Sequence, residues 1–211
     1  MMNGPADVQQ KSRESTGDRR AAIALAVRDL IVEKGFEGLR TRDIAERVGI
    51  NIATLHYHVP TKEALIALVA EWLKAEFAAQ GAAHEREGRT PLELIEQEFD
   101  DFAELLGTRN DMLTVMSEML ERGRRDETIR ASIGPLMGKW KRMVEDILAA
   151  GRTSGDFRPD LDPAPAAQML VSAMVGFSRS PGASPENFVR MRAELQRAIR
   201  NPSRFDKDAQ P

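Results

Sequence analysis

Residues 41–62 read TRDIAERVGINIATLHYHVPTK and contain the pattern that decides the fold. Thr41 is an N-terminal cap signal for a short amphipathic helix, whose buried face has apolar residues at helical spacing: Ile44, Ala45 and Val48. Gly49 ends this helix, and a second short helix follows over about 52–57 and stops before Pro60. Two short helices joined by a turn that contains Gly predict a helix-turn-helix.

The flanking sequence extends this motif into an all-α chain. A first helix over about 18–34 ends at Gly35, and its apolar stripe consists of Ile23, Ala26, Val27, Leu30 and Ile31. Downstream, β-type alternation is almost absent, and Pro and Gly separate helices that we predict at about 62–77, 91–106, 109–122, 127–150, 163–179 and 185–200. We expect a kink at Pro135, because a proline inside a helix removes one backbone hydrogen bond. The predicted fold class is all-α, with about nine helices.

These helices divide the chain into four predicted parts: a flexible arm at 1–17, a helix-turn-helix head at 18–62, a helical body at 63–200 and a frayed tail at 201–211. The first 62 residues contain ten Lys and Arg against eight Asp and Glu, although the whole chain has a formal net charge of −3. A mildly basic head on an acidic body is compatible with local contact to DNA. The same balance argues against a protein that coats nucleic acid along its whole surface.

The composition excludes several kinds of chemistry. The chain has no Cys, which excludes disulfides and thiolate sites and suits a reducing, cytoplasmic setting. Charged residues interrupt every apolar run before the roughly 20 residues that a membrane-spanning helix needs. The N-terminal sequence is polar and lacks the apolar core of a signal peptide. We therefore expect no association with a membrane.

The sequence offers little support for catalysis or metal binding. Neither a Gly-rich phosphate loop nor a nucleophile elbow occurs, and metal-ligand spacing is absent from the three histidines, His56, His58 and His84. The acidic residues Glu98, Asp101 and Glu104 recur at i, i+3 and i+6, which is typical of a solvated helix face. We predict no catalytic residue, no cofactor and no metal, and keep a small helical-bundle enzyme as an alternative.

Residues 35–66, GFEGLRTRDIAERVGINIATLHYHVPTKEALI, resemble the DNA-binding signature of the TetR family, bacterial regulators named after the tetracycline repressor. The matching elements stand in the family's order: Gly35-Phe36, Thr41-Arg42-Asp43-Ile44-Ala45, Val48-Gly49-Ile50, Ala53-Thr54-Leu55, Tyr57-His58-Val59 and Pro60-Thr61-Lys62-Glu63. Residues 155–177, GDFRPDLDPAPAAQMLVSAMVGF, are similar to the segment that opens the family's penultimate helix. The resemblance implies a DNA-binding head on a body that binds a ligand and dimerises.

The same resemblance implies DNA contacts along the motif. Arg42 opens a helix at the position where a guanidinium can contact guanine or phosphate, and its alternative is a solvated ion pair with Glu46. Ala53 and the methyl group of Thr54 suit contact with a thymine methyl. The predicted DNA contacts are Thr41, Arg42, Asn51, Ile52, Ala53, Thr54, His56, Tyr57, His58 and Lys62.

Three residues of this set have a second interpretation. The family usually has Tyr at the position of His56, where an imidazole can donate a hydrogen bond to the same phosphate. His58 is equally compatible with the edge of the core, bonded to backbone. Lys62 would contact phosphate and is also the first residue of the helix that leaves the head.

The body is predicted to contain a ligand pocket and a dimer interface. Methionines at helical spacing fit an ordinary core, but they also adapt to ligands, and the family's inducer cavity lies between these helices. We predict a largely apolar pocket with few polar anchors, lined by Phe99, Phe102, Met112, Met116, Met119, Met137, Trp140, Met143, Met174 and Phe177. The last two helices would form a four-helix bundle with a second copy through Ala166, Leu170, Ala173, Phe188, Met191, Leu195 and Ile199.

The sequence therefore predicts a homodimeric transcriptional repressor that binds a palindromic operator in double-stranded DNA and is released by a small, largely apolar effector. One alternative is an activator or architectural DNA binder of the same fold that senses nothing, which a body too well packed to admit a ligand would favour. Another alternative is an interaction adaptor whose head no longer binds DNA.

Overall fold

The computed structural model describes residues 16–84 and 86–203. Within these residues the chain forms one turn of 3-10 helix at Phe36–Gly38 and nine α-helices: α1 (Thr16–Lys34), α2 (Thr41–Val48), α3 (Ile52–His58), α4 (Lys62–Ala82), α5 (Pro91–Gly107), α6 (Asn110–Gly123), α7 (Glu127–Ser154), α8 (Pro163–Ser178) and α9 (Pro185–Ile199). The predicted all-α class is confirmed. Residues 1–15 of the predicted arm and 204–211 of the predicted tail lie outside the described residues.

Backbone geometry explains the two turns of the helix-turn-helix. Gly49 has a φ of 73° and a ψ of 35°, in the left-handed region that favours glycine, and it ends α2. The Asn51 side chain caps α3 by accepting a hydrogen bond of 2.7 Å from the Thr54 amide. The prediction that Thr41 caps α2 is wrong, because Arg40 is the extended residue before the helix and Thr41 is already helical.

The head core consists of apolar side chains from α1, the 3-10 turn, α2 and α3: Ile23, Val27, Leu30, Ile31, Phe36, Ile44, Ala45 and Leu55. Leu55 is the buried residue of α3, and α3 packs against α1 and α2. The remaining side chains of this short helix are therefore exposed or half-buried, which leaves one side of α3 open to a partner.

Polar contacts tie the head to the body in addition to the continuous helix α4. The Phe36 amide donates a hydrogen bond of 3.0 Å to a carboxylate oxygen of Glu118 on α6. Arg28 on α1 lies 3.5 Å from Asp111 on α6, and its guanidinium lies 5.6 Å from the centre of the Trp72 ring on α4. These contacts make the orientation of the head depend on α4 and α6.

An aromatic cluster joins three helices of the body. The Phe188 ring of α9 lies 4.9 Å from Phe102, 5.5 Å from Phe177 and 6.3 Å from Phe99, measured between ring centres. The 28-residue α7 packs against α4, α5, α6 and α8, and it continues on both sides of Pro135. No helix in the described ranges is both long and apolar enough to cross a membrane.

The predicted dimer residues mostly pack inside their own chain. Buried positions include Ala166, Leu170, Phe188, Leu195 and Ile199, whereas Ala173 and Met191 are half-buried. These five residues are already buried within one chain, because α8 and α9 turn an apolar stripe toward the body of their own chain, and their part in a dimer stays a prediction. The outward faces instead show Met169, 42% exposed, and Val189, 63% exposed.

Glu96 fixes α9 to α5. Its carboxylate accepts hydrogen bonds from Arg192 at 2.7 Å and from Gln196 at 2.6 Å, and it also pairs with Arg200. Burial opposes its negative charge, but the hydrogen bonds from Arg192, Arg200 and Gln196 outweigh burial and lower the pKa of Glu96. The charged form of Glu96 therefore stabilises the docking of α9.

We expect Glu96→Gln to lower the free energy of unfolding at pH 7 by about 1–2 kcal/mol, because charge-assisted hydrogen bonds are lost. The folded-state pKa is lowered, so this stabilisation is full above the ordinary glutamate pKa and is lost as the pH falls through the folded value. Urea unfolding at pH 7 and at pH 3 measures the difference. Glu104→Gln, on the exposed face of α5, is the control. A deficit of equal size at both pH values would contradict this account.

Candidate functional site

The open side of α3 presents the residues predicted to read DNA. Asn51, Ile52 and Ala53 are exposed at its start, and Thr54 is half-buried. Ile52 is 45% exposed and Tyr57 is 80% exposed, although each has an apolar body that water solvates poorly. An exposed apolar side chain at Ile52 and an exposed aromatic ring at Tyr57, on one short helix, indicate a binding surface.

Hydrogen-bond donors gather beside this helix. Thr41, His56 and Lys62 line one surface cavity of about 320 Å³, so α2, α3 and the start of α4 converge there. Arg40 and Thr61 line the same cavity, although they are not among the DNA contacts predicted from the sequence. Both residues directly precede a helix, where free backbone amides can bind an anion. The spacing of apolar residues, from which the helices were predicted, does not single out these positions.

The charged residues of α2 differ in their partners. Arg47 donates two hydrogen bonds to the Glu33 carboxylate, at 2.9 Å and 2.7 Å, and Asp43 accepts one from Lys34 at 2.7 Å. In the part of the chain that the structure describes, Arg42 is exposed and makes no ion pair, including with Glu46. Its guanidinium is therefore available to an external anion.

His58 lies at the edge of the head core. The residue is half-buried, and its Nδ1 atom is buried without a hydrogen-bond partner among the described residues. Its carbonyl accepts a hydrogen bond of 2.9 Å from Arg20, and its ring meets the Tyr57 ring edge-on at 5.1 Å. This placement favours the structural interpretation of His58, whereas His56 and Tyr57 are exposed.

Lys62 pairs with a residue of the body. Its Nζ lies 2.9 Å from a carboxylate oxygen of Asp126, and that hydrogen bond is the main reason why the pKa of Asp126 is lowered. Asp126 also caps α7 by accepting hydrogen bonds from the Thr128 and Ile129 amides. A DNA phosphate at Lys62 would have to compete with Asp126, the residue that caps α7.

The body contains a cavity of about 680 Å³ between α4, α5, α6 and α7. Its walls include half of the predicted pocket residues: Phe102, Met116, Met137, Trp140 and Met143. The other half do not line it: Phe99, Met112, Met119, Met174 and Phe177. Four of these five are fully buried in the packed core, and Phe177 packs against Phe188, so their part in ligand binding stays a prediction.

The polar lining of this cavity includes residues that were predicted from the sequence to lie on a solvated helix face. Glu98 is only 5% exposed and Asp101 is half-buried, whereas Glu104 is exposed as predicted. Burial raises the pKa of Glu98 and that of Asp101. The prediction of a solvated face is wrong for Glu98 and Asp101, because α7 packs against α5 and Trp140 of α7 donates a hydrogen bond to Glu98, while His84 contacts Asp101.

Two family models match separate parts of the chain. The model for bacterial regulatory proteins of the tetR family matches residues 23–69, which include the whole helix-turn-helix. The model for the tetracyclin repressor-like C-terminal domain matches residues 114–181. Together the matched residues make up more than half of the chain.

Individual proteins agree with these matches. The chain is 26% identical over 138 residues to the HTH-type transcriptional regulator CymR of Pseudomonas putida, across 65% of each protein, and so spans slightly less than two thirds of CymR. It is 25% identical over 190 residues to the regulator EthR of Mycolicibacterium smegmatis, across 86% of this chain and 85% of EthR. A solved TetR-family regulator from Agrobacterium tumefaciens has a TM-score of 0.78 at 18% identity, covering 88% of this chain and 100% of that chain, which shows a shared fold.

Proposed function

The chain belongs to the TetR family of bacterial regulatory proteins, and from this membership we propose that it is a homodimeric transcriptional repressor released from operator DNA by a small molecule. The observation that carries the proposal is the exposed side of α3, with Ile52 and Tyr57 uncovered and with Thr41, His56 and Lys62 gathered beside it. A cavity of about 680 Å³ in the body supports the ligand response. The same cavity disfavours the alternative of a DNA binder that senses nothing.

The proposed reading surface divides into base contacts and phosphate contacts. The first turn of α3 enters the major groove, where Ile52, Ala53 and Thr54 meet base edges and thymine methyl groups. Tyr57 and Lys62 hold the phosphate backbone and fix the register of α3 without reading sequence. Arg42 contacts guanine or phosphate with the guanidinium that no described residue engages.

Two heads are needed for this function, because one short recognition helix contacts too few base pairs to select a site in a genome. We place the dimer interface on the outward faces of α8 and α9, where Met169 and Val189 are exposed. Small residues on these faces, Ala173, Gly176 and Ala193, allow two helices to approach closely. The two-fold symmetry of such a dimer would match a palindromic operator.

The geometry suggests a route from ligand to DNA through α4. Phe77 and Gln80 of this helix line the cavity, and Lys62 begins the same helix at the head. A ligand that moves α4 relative to α7 would change both the Lys62–Asp126 pair and the spacing of the two heads. Repression is relieved if the ligand prefers the DNA-incompetent state by about 1–3 kcal/mol.

We expect Asp126→Asn to strengthen operator binding by about 3- to 10-fold at low salt, because Lys62 loses its intramolecular competitor while Asn still caps α7. Fluorescence anisotropy with a labelled operator duplex measures the affinity. The control is Asp162→Asn, which removes one negative charge, as Asp126→Asn does, but lies at the start of α8 rather than beside Lys62. If both variants gained the same affinity, net charge would be the cause and the proposed competition would be wrong.

Deletion of the gene tests the proposed repression directly. Transcripts of the neighbouring genes are measured in the deletion strain and in a strain that carries the gene on a plasmid. We expect at least one neighbouring transcript to rise in the deletion strain and to fall again on complementation. A transcript that falls in the deletion strain would identify an activator and overturn the proposed sign of regulation.

A further inference from the structure

The cavity in the body contains a buried carboxyl group. Glu98 is the one buried charged residue among those the structure describes, at 5% exposure. One of its carboxylate oxygens accepts a hydrogen bond from Arg86, and the other accepts one of 3.1 Å from Trp140 Nε1. Because burying a carboxylate without a partner is costly, this charge needs a cation beside it.

The acidic groups lie on a helix, whereas their cationic partner lies on a connecting segment. Glu98 and Asp101 project from α5, whereas Arg86 lies on the connection between α4 and α5 and is about one third exposed. Arg86 also donates a hydrogen bond of 3.0 Å to the sulfur of Met143. The side chain that neutralises the cavity is thus supplied by a connecting segment, and an external cation could replace it at Glu98.

The other basic groups around the cavity do not pair with Glu98 in place of Arg86. Lys74 and Lys139 line the cavity, but both are exposed to solvent. His84 Nε2 lies 3.1 Å from a carboxylate oxygen of Asp101. The inner walls combine two partly or fully buried carboxylates with aromatic rings from three helices: Phe77, Phe102 and Trp140.

We propose that this cavity binds a lipophilic organic cation whose positive centre takes the place of the Arg86 guanidinium at Glu98. The proposal rests on the proposed function in taking the cavity as the effector site. Aromatic rings attract such a cation through their faces, and the apolar walls bury its hydrocarbon body. A volume of about 680 Å³ suits a drug-sized molecule.

The other charge classes fit less well. An anion that paired with Arg86 would leave Glu98 buried without its cation, and it would stand close to the carboxylates of Glu98 and Asp101. A neutral molecule would have to fit beside an intact Arg86–Glu98 pair and would gain nothing from the buried charge. A cation exchanges one ion pair for another and returns Arg86 to solvent.

Tetraphenylphosphonium and tetraphenylborate test this charge preference, because the two ions have nearly the same size and shape and opposite charge. Isothermal titration calorimetry with the full chain in sodium buffer gives both affinities. We expect the cation to bind at least about 10-fold more tightly than the anion. Equal binding, tighter binding of the anion or no binding of the cation would overturn the proposal.

Two variants with opposite expected effects locate the site. Glu98→Gln should weaken binding of tetraphenylphosphonium by at least about 10-fold, and Arg86→Ala should strengthen it by several-fold, because the internal competitor is gone. Asp100→Asn removes a carboxylate that pairs with Arg192 on another face of α5, and it should leave the affinity unchanged. If Glu98→Gln fails to fold, Arg86→Ala decides alone, and unchanged or weaker binding in that variant contradicts the proposal.

Measuring DNA binding by the same proteins distinguishes a failure of the cation site from a failure of the proposed DNA-binding function. Operator affinity is measured without any ligand and again with tetraphenylphosphonium. Failure to bind DNA in the absence of ligand would refute the proposed function, while the calorimetry would still decide the cation site. Normal DNA binding together with no preference for the cation would refute the cation site alone.

Discussion

Replacing both Arg42 and Lys62 by Ala is expected to weaken operator binding about a thousandfold near 0.1 M salt. Each head would lose two cationic contacts, and a dimer loses four, each contributing about 1 kcal/mol. The dependence of affinity on salt should also become shallower, by about one unit of slope for each phosphate contact removed. Fluorescence anisotropy titrations at several salt concentrations measure both effects.

The control for this double variant is Lys34→Ala combined with Arg47→Ala. It removes one Lys and one Arg from the same head, but these two side chains already pair with Asp43 and Glu33. We expect it to weaken operator binding by less than about 10-fold. If the two double variants weakened binding equally, the general charge of the head would explain the effect and the assignment of Arg42 and Lys62 would be wrong.

Gly151→Ala is expected to lower the free energy of unfolding by about 3 kcal/mol, near the upper end of the usual cost of overpacking a core. A Cβ atom at Gly151 would lie 2.1 Å and 2.2 Å from two ring carbons of Phe157, which is fully buried. The ring has little room to move, since the Phe157 amide donates a hydrogen bond of 3.1 Å to the Gly151 carbonyl. Denaturant unfolding at fixed protein concentration measures the loss.

Gly138→Ala provides the matched control within the same helix. A Cβ atom at Gly138 would lie 3.3 Å from the end of the exposed, flexible Arg142 side chain, which can move away, so the substitution adds no clash with the core. Alanine has the higher helix propensity, and we expect this variant to be more stable by up to about 1 kcal/mol. Equal stability of the two variants would show that contact with Phe157 does not limit the packing of α7.

The helix-turn-helix could be predicted closely from sequence because its signals are local. Gly49 must end α2 in a left-handed conformation, Asn51 caps α3, and Pro60 stops it. Pro91, Pro163 and Pro185 likewise mark the first residues of three body helices. Signals of this kind depend on the few residues around each turn, so they can be recognised without knowledge of the tertiary structure.

The cavity and the dimer face could be predicted only in part, because both depend on how the helices pack against one another in the tertiary structure. Glu98, Asp101 and Glu104 have the spacing of one helix face, yet only Glu98 is fully buried. The apolar stripe of α9 is equally compatible with the chain's own core and with a partner. The structure uses Phe188, Leu195 and Ile199 for the core and leaves Val189 exposed.

The central claim is that two heads of a dimer read DNA through α3, and selection of bound fragments from a random pool of duplexes tests it most directly. We predict that the enriched fragments share an inverted repeat whose half-sites lie about one helical turn, or a multiple of it, apart. We also predict that the enrichment is lost when Arg42 and Lys62 are replaced by Ala. No enrichment by the purified chain, or enrichment of sites without two-fold symmetry, would contradict the account.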